Sequence, residues 1–365
     1  MSSFPLFTDY PLNMESYQGY WGPVTSTIDW CEENYVISPF FAEFINATTN
    51  LSFFFLSMYH LYSSYKNNHG LLFMIVSIGM GIVGLGSWLF HMTLKYEFQL
   101  LDELPMIFFS LIPFAYIHGI DKSNFIKFYI VYLGTFIIIL TLTLVYCSVY
   151  TNPILHQTSY AILNISIVVK SLLLVNKHVT SLKIRKYLYW KVFNALSQFM
   201  LGFLFWNLDT IFCSKLIFWR RNLFGLPLGF LLEGHGWWHI FTSLGIYNFI
   251  LYNEILSIWF EKRQNDYKLV YRFGILGEVV LINGDKTYLD KFNGNYVLNL
   301  NGKDDFEKTE KNLLQAKGET NLNSKNLSKT SARASSQEEK VSATTTSAAA
   351  APAVSKEPIV QVKAS

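Results

Sequence analysis

Residues 231–243 read LLEGHGWWHIFTS, an apolar stretch that suits a lipid-spanning helix except for its two histidines. His235 and His239 are four positions apart, so on a helix they stack one turn apart on a single face. Ionisable side chains in hydrocarbon are costly unless paired, and their presence marks a site before it marks a fold. The reading of the chain therefore depends on whether its remainder spans a membrane, and on what else reaches these two rings.

The composition is that of a membrane protein. Of 365 residues, 51% are hydrophobic, 17% aromatic and 15% charged. Twenty-nine basic against 26 acidic side chains give a net charge of +3, too even a balance for a nucleic-acid-binding surface. The first 38 residues lack the basic start and compact apolar core of a cleavable signal, so the first span is expected to direct insertion itself. With only Cys31, Cys147 and Cys213, neither a disulfide scaffold nor a cysteine zinc module is available, and a metal would need His and carboxylate ligands.

A hydrocarbon layer of about 30 Å takes roughly 20 apolar residues per helix. Seven such runs are expected near 39–63, 70–92, 98–119, 124–147, 153–175, 186–212 and 226–257, an all-α seven-transmembrane bundle. Basic residues sort by loop. Lys66, Lys122, the group Lys177, Lys183, Arg185 and Lys186, and then Lys262 and Arg263 fall on one side, which the positive-inside rule makes cytosolic. The N-terminus, with no Lys or Arg before residue 39, is then lumenal and the C-terminus cytosolic. One opposing loop, carrying Lys215, Arg220 and Arg221, is discordant. The expected organisation is a lumenal segment 1–38, a membrane domain 39–260, a juxtamembrane segment 261–303 in which Gly and Asn-Gly breaks allow a small hairpin, and a disordered Lys/Ser/Thr/Ala-rich tail 304–365. The sequons at Asn46, Asn50, Asn164 and Asn326 lie in spans or tail, where this topology leaves them unmodified.

Depth along these spans brings polar residues together. His91 lies about 30 Å from Leu71 along its helix, at the lumenal end, with Ser87 one turn deeper. Asp102 falls in the first two turns of the returning helix, and His235 and His239 lie about 13 and about 20 Å beyond Leu226. Pro227 and the glycines around it allow a later helix start. Three imidazoles and a carboxylate in one lumenal layer suit zinc, which takes three protein ligands and leaves a fourth position open. Haem fits less well, because an i, i+4 pair cannot approach from opposite sides. A proton-relay transporter has little support, since no repeated broken helices occur. Ser87 suits helix packing as well as chemistry. In the stretch STIDWCEENYVISPFFAEF, Asp29, Glu32, Glu33 and Asn34 crowd together, with Glu43 nine residues after Asn34; these oxygens suit Ca²⁺ or a solvated acidic face equally.

The stretches STIDWCEENYVISPFFAEF, GSWLFHMTLKYEFQLLDELPM and LPLGFLLEGHGWWHIFTSLGIY together resemble the alkaline ceramidase family, seven-span amidases of the endoplasmic reticulum and Golgi, most nearly the fungal dihydroceramidase and phytoceramidase type. The resemblance covers residues from about 20 to about 260, with Ser-x3-His, Asp and His-x3-His in the same order. It implies Zn²⁺ held by His91, His235 and His239, Asp102 as general acid/base, and Ser87 steadying the reacting carbonyl. It also implies Ca²⁺ on the side chains of Asp29, Glu32, Asn34 and Glu43 and the backbone carbonyl of Trp30, and a lumenal disulfide between Cys31 and Cys213. The expected activity is hydrolysis of membrane-embedded ceramide to a sphingoid base and a fatty acid, with reverse condensation accessible. The alternative is a seven-span lipid-binding receptor with a structural zinc, since adiponectin and progestin receptors belong to the wider superfamily.

Overall fold

The computed structural model describes residues 19–120, 125–149, 152–282 and 297–302; the tail expected to be disordered lies outside them. The helices are α1 (Phe44–Thr49), α2 (Leu51–Lys66), α3 (Leu71–Thr93), α4 (Tyr96–Gly119), α5 (Phe125–Ser148), α6 (Pro153–His178), α7 (Leu182–Trp219) and α8 (Gly234–Phe260). Strands β1 (Tyr267–Arg272), β2 (Leu276–Leu281) and β3 (Val297–Asn299) form one antiparallel sheet in the order β2-β1-β3. Five stretches, within α3 to α7 and continuing to Phe224, are long and apolar enough to cross a membrane. The chain is a multi-pass helical membrane protein.

Three expected spans have different bounds. The first breaks at Asn50 into α1 and the 16-residue α2. The sixth, α7, is longer at both ends than 186–212 and kinks at Phe212, where φ and ψ leave the helical region. The last begins eight residues after 226. A π-turn (Arg220–Phe224), a cis Leu226–Pro227 bond and a 3₁₀ turn (Leu228–Leu232) precede α8, which opens at Gly234. His235 therefore stands in the first turn of its helix, and His239 about 6 Å further along. This later start moves both rings toward the helix end where His91 lies.

Side-chain capping sets other helix starts. Asn152 accepts the Ile154 N–H at 3.0 Å ahead of Pro153, which has no N–H to lose at the first helical position. Ser181 does the same for Ile184. Small residues set the distance between helices, as is usual where lipid supplies no hydrophobic drive for helix association. At Gly86 a Cβ would lie 2.2 Å from the Leu101 carbonyl oxygen of α4, and at Gly245 2.9 Å from the Ala195 oxygen of α7.

The N-terminal segment is strapped across the ends of α3 and α4. Thr25 and Ser26 both donate to the Leu94 carbonyl at 3.1 Å, and Thr27 N–H donates to Gln99 Oε1 at 2.8 Å. Ala42 and Glu43 N–H groups donate to the Met92 and His91 carbonyls at 3.0 and 2.9 Å. Leu94, with φ 52°, makes the tight turn between the two helices.

At the opposite end, buried Glu254 of α8 meets His69 and, at 3.6 Å, His60 Nε2. The expected hairpin is present as β1–β2, and the described residues from 267 onward pack against the helices. Tyr267, Leu269, Val279, Leu298 and Leu300 share one core with Ile184, Leu188, Leu251 and Ile255.

Gly86→Ala should lower thermal stability by about 1–3 kcal/mol, because a new methyl meets α4 backbone rather than a side chain that can move. Gly134→Ala on α5, with nothing within 4 Å of the new Cβ, should be neutral or stabilising by up to about 1 kcal/mol. Thermal unfolding of both variants in the same detergent measures the contrast.

Candidate metal centre

The three imidazoles expected to converge do so. His91, His235 and His239 are buried, each offers a nitrogen within 4.8 Å of the others, and their ring centroids are 4.7 to 5.0 Å apart. Close backbone approach permits this. A Cβ on Gly234 would lie 2.7 Å from the Phe205 oxygen of α7, and one on Gly236 2.9 Å from Ile45 Cγ2 of α1, so the first turn of α8 is wedged between α7 and α1.

Hydrogen-bond accounting orients two of the rings. His91 Nδ1 meets Glu43 Oε2 at 2.5 Å, and a carboxylate only accepts, so Nδ1 carries the proton and Nε2 a free lone pair. Thr49 Oγ1 gives its one proton to the Ile45 carbonyl at 2.8 Å. His239 Nδ1 lies 3.0 Å from that hydroxyl oxygen and 3.4 Å from Asn50 Nδ2, and donation from Nδ1 to the Thr49 oxygen is the arrangement that frees Nε2. The His235 ring stacks on Trp30 at 3.9 Å, and its Nδ1 is buried without a hydrogen-bond partner. Clustered imidazoles backed by a carboxylate and a hydroxyl have the donor chemistry of a site that could hold a metal ion.

Ser87 and Asp102 are brought side by side by the Gly86 contact. Ser87 lies one turn before His91 on α3. On the acidic side, Asp29 accepts from Asn34 Nδ2 at 3.4 Å and shares a hydrogen bond with Glu43, whose Oε1 accepts the Trp30 N–H at 3.1 Å. Asn34 Oδ1 is buried without a partner. Glu32 accepts the Ile45 and Asn46 N–H groups at 2.7 and 2.8 Å, satisfying the start of α1. Asp29 keeps an exposed outer side, yet its pKa is raised to about 6, first by partial burial of the carboxyl and then by the charge of Glu43. Burial, then Glu233 and Glu43, push the Glu32 carboxyl well above its usual range. Crowded carboxylates that resist ionisation, beside an unsatisfied amide oxygen, have the character of a cation site.

Cys31 and Cys213 are joined by a disulfide, with Cα atoms 5.3 Å apart, and Cys147 is free. Glu33, outside the calcium set, pairs with Arg221 at 2.9 Å. Arg220 is fully buried, pairs with Glu233 and donates to the Cys31 carbonyl at 2.8 Å. The two arginines of the discordant loop are thus committed to ion pairs within the fold.

Several supporting residues had no signal of their own in the sequence. Thr49 sits in an ordinary polar run, and Asp209, which accepts the Gly234 N–H at 2.9 Å and so supports the start of α8, lies mid-span in α7. The charge of Asp209 and Glu233 within apolar surroundings was the one available clue.

A buried tri-histidine centre at one end of a multi-pass bundle, with a carboxylate, a hydroxyl and an acidic cluster beside it, defines a class of intramembrane metal-site proteins. The ceramidase family model matches residues 22–280. Alkaline ceramidase YPC1 of Saccharomyces cerevisiae is 38% identical over 276 residues, covering 73% of this chain and 87% of that protein. Alkaline ceramidase 3 of Mus musculus is 39% identical over 238 residues, covering 65% and 85% respectively. The chain belongs to the ceramidase family.

Arg220→Ala should cost about 3–5 kcal/mol by stranding buried Glu233. Replacing both, Arg220→Met with Glu233→Leu, should recover most of that loss; chemical unfolding of the two variants measures it.

Proposed function

We propose that the protein is a zinc-dependent intramembrane amidase that hydrolyses the amide bond of ceramides of the dihydroceramide and phytoceramide type. The products are a sphingoid base and a free fatty acid. The observation that carries this reading is the convergence of three imidazoles, two with Nε2 lone pairs left free, one turn from the Ser87–Asp102 pair. The family membership and the two relatives named alkaline ceramidase support the substrate class.

His91, His235 and His239 would hold the zinc, which when bound supplies Lewis acidity toward an amide carbonyl and toward a water. Asp102 takes the water proton and returns it to the nitrogen as the C–N bond breaks, leaving the hydroxyl on the acyl carbon. Ser87, beside Asp102, can turn its hydroxyl to the carbonyl oxygen as negative charge grows there. Glu43 and Thr49 keep His91 and His239 in the ligating tautomer. A shallow, open face of α4, with Glu97 at one end and Leu100, Leu101, Leu104, Pro105, Phe108 and Phe109 along it, flanks the turn that carries Asp102 and offers a place for an acyl chain. Because water is the only co-substrate, the reverse condensation is open when products accumulate.

The wider arrangement belongs to the same proposal. Helices α2 to α8, with α1 extending α2, make seven spans, the N-terminus and metal centre lumenal and the C-terminus cytosolic, in an endoplasmic reticulum or Golgi membrane. Internal pairing of Arg220 and Arg221 removes the main objection to this orientation. Calcium on Asp29, Glu32, Asn34, Glu43 and the Trp30 carbonyl would relieve the carboxylate crowding.

Purified protein should contain one zinc per chain and convert labelled ceramide to base and acid. His235→Ala should lose both, and turnover surviving that change would defeat the mechanism. Asp102→Asn should keep the metal and lose about 10²–10⁴-fold in turnover. Glu43→Gln should weaken zinc affinity about 10–100-fold, measured by chelator competition. A variant set that retains zinc and binds ceramide without cleaving it would favour the receptor alternative.

The calcium reading has a pH signature. Asp29 has its pKa raised on folding from 3.8 to about 6, so its contribution to metal-free stability is present below 3.8 and is lost as pH rises through about 6. Calcium needs the ionised form. Added calcium should therefore raise the melting temperature at pH 8 and lose that effect as pH falls below about 6; an equal shift at pH 5 would count against Asp29 as a ligand.

A further inference from the structure

The β1–β2 hairpin reaches far along the helices. Measured from the bundle end where α2, α6 and α8 finish, three neighbours give its depth. Tyr247 of α8, whose hydroxyl donates to the Gly277 carbonyl at 2.6 Å, lies 13 residues, about 20 Å, from Phe260. Lys191 and Tyr187 of α7 flank Tyr271, the Lys191 nitrogen standing 5.3 Å over its ring, and Lys191 is nine residues, about 13 Å, from Leu182. Tyr59 of α2, about 10 Å from Lys66, donates to Glu278 at 3.0 Å, and Leu276 lies about 7 Å further along the strand. The helix ends are level, since the His178 ring packs on Phe260 at 4.8 Å and Tyr267 OH reaches the Asn67 and Asn68 carbonyls at 3.1 Å. The 23-residue α3 is about 34 Å long against a hydrocarbon layer of about 30 Å, so the hairpin turn is well inside that layer.

What the turn shows there is apolar. Phe273 and Ile275 are 90% and 75% exposed. Phe273 takes a left-handed φ of 52° and Gly274 one of 74°, a turn at whose first position Asn would be less strained than Phe. The neighbouring polar side chains are mostly enclosed, Arg272 being 21% exposed and Glu278 1%. Gly277 to Val280 are buried, so the β2 edge is not open, and Glu278 is held by Arg272, Tyr59 and Ser63. Behind the hairpin every residue of α8 from Ile250 to Trp259 is buried, including Asn253 and Glu254.

We propose that β1–β2 is a re-entrant hairpin that inserts Phe273 and Ile275 among the acyl chains of the leaflet at the C-terminal end of α8, filling the gap between α2 and α7 and screening the polar face of α8 from lipid. The partner is the hydrocarbon of the bilayer. The alternative occupant of this face is water, and the two are separable.

The test uses full-length protein in phospholipid nanodiscs, with Cys147→Ser to leave no free thiol beside the disulfide. Phe273→Cys and Ile275→Cys are spin-labelled one at a time, with Ile137→Cys on the apolar α5 and Lys66→Cys at the end of α2 as references. Oxygen, which enters hydrocarbon, and a water-soluble nickel chelate are the two probes. At both turn positions the oxygen response should equal that at Ile137, and the nickel response seen at Lys66 should be lost. Nickel access at either position equal to that at Lys66 would overturn the proposal. Because both side chains are already exposed, the labels do not require the fold to give way.

Discussion

The hydrogen bond between Glu43 and His91 joins the parts of this protein that must agree for a site to exist. One carboxylate oxygen fixes the tautomer of a buried imidazole on α3. The other accepts the backbone N–H of Trp30, whose ring stacks on His235 of α8. The extramembrane segment and two helices distant in sequence are thus positioned by one side chain, which is itself crowded by Asp29 and Glu32. Loss of that contact would free a ring, unseat Trp30 and leave a buried carboxylate unpaired, each unfavourable in a low-dielectric interior.

The two ends of the bundle solve the same problem differently. At the end that carries the metal centre, polar side chains converge on each other and leave ligand lone pairs unspent. At the other, Glu254 is paired with His60 and His69, and Glu278 with Arg272, and the sheet covers them. Helix α8 carries both arrangements, which is why it needs cover along its length.

Legibility in the sequence followed the range of the interaction. The i, i+4 histidine pair, the order of Ser87, His91 and Asp102, and the single layer shared by these residues follow from helix periodicity and span length, which are local quantities. The α8 start was less legible, because a Pro and four glycines within about a dozen residues permit several helix starts. It is decided by Asp209 accepting the Gly234 N–H from another helix. The juxtamembrane segment showed strand-like alternation, yet its burial against α2, α7 and α8 had no local signal.

The sequence alone determined that this is a helical membrane protein whose last span carries two imidazoles on one face, because hydrophobicity and a period of 3.6 residues are properties of contiguous chain. Only the tertiary structure decided which nitrogen of His91 and His239 is free, that Trp30 lies on His235, and that the two arginines of the discordant loop are spent on buried and half-buried carboxylates. Each of those outcomes depends on a partner outside the local stretch of chain, from 13 residues away for Arg220 and Glu233 to 205 for Trp30 and His235. A hydrogen-bond donor can be assigned only once the other claims on its acceptor are known.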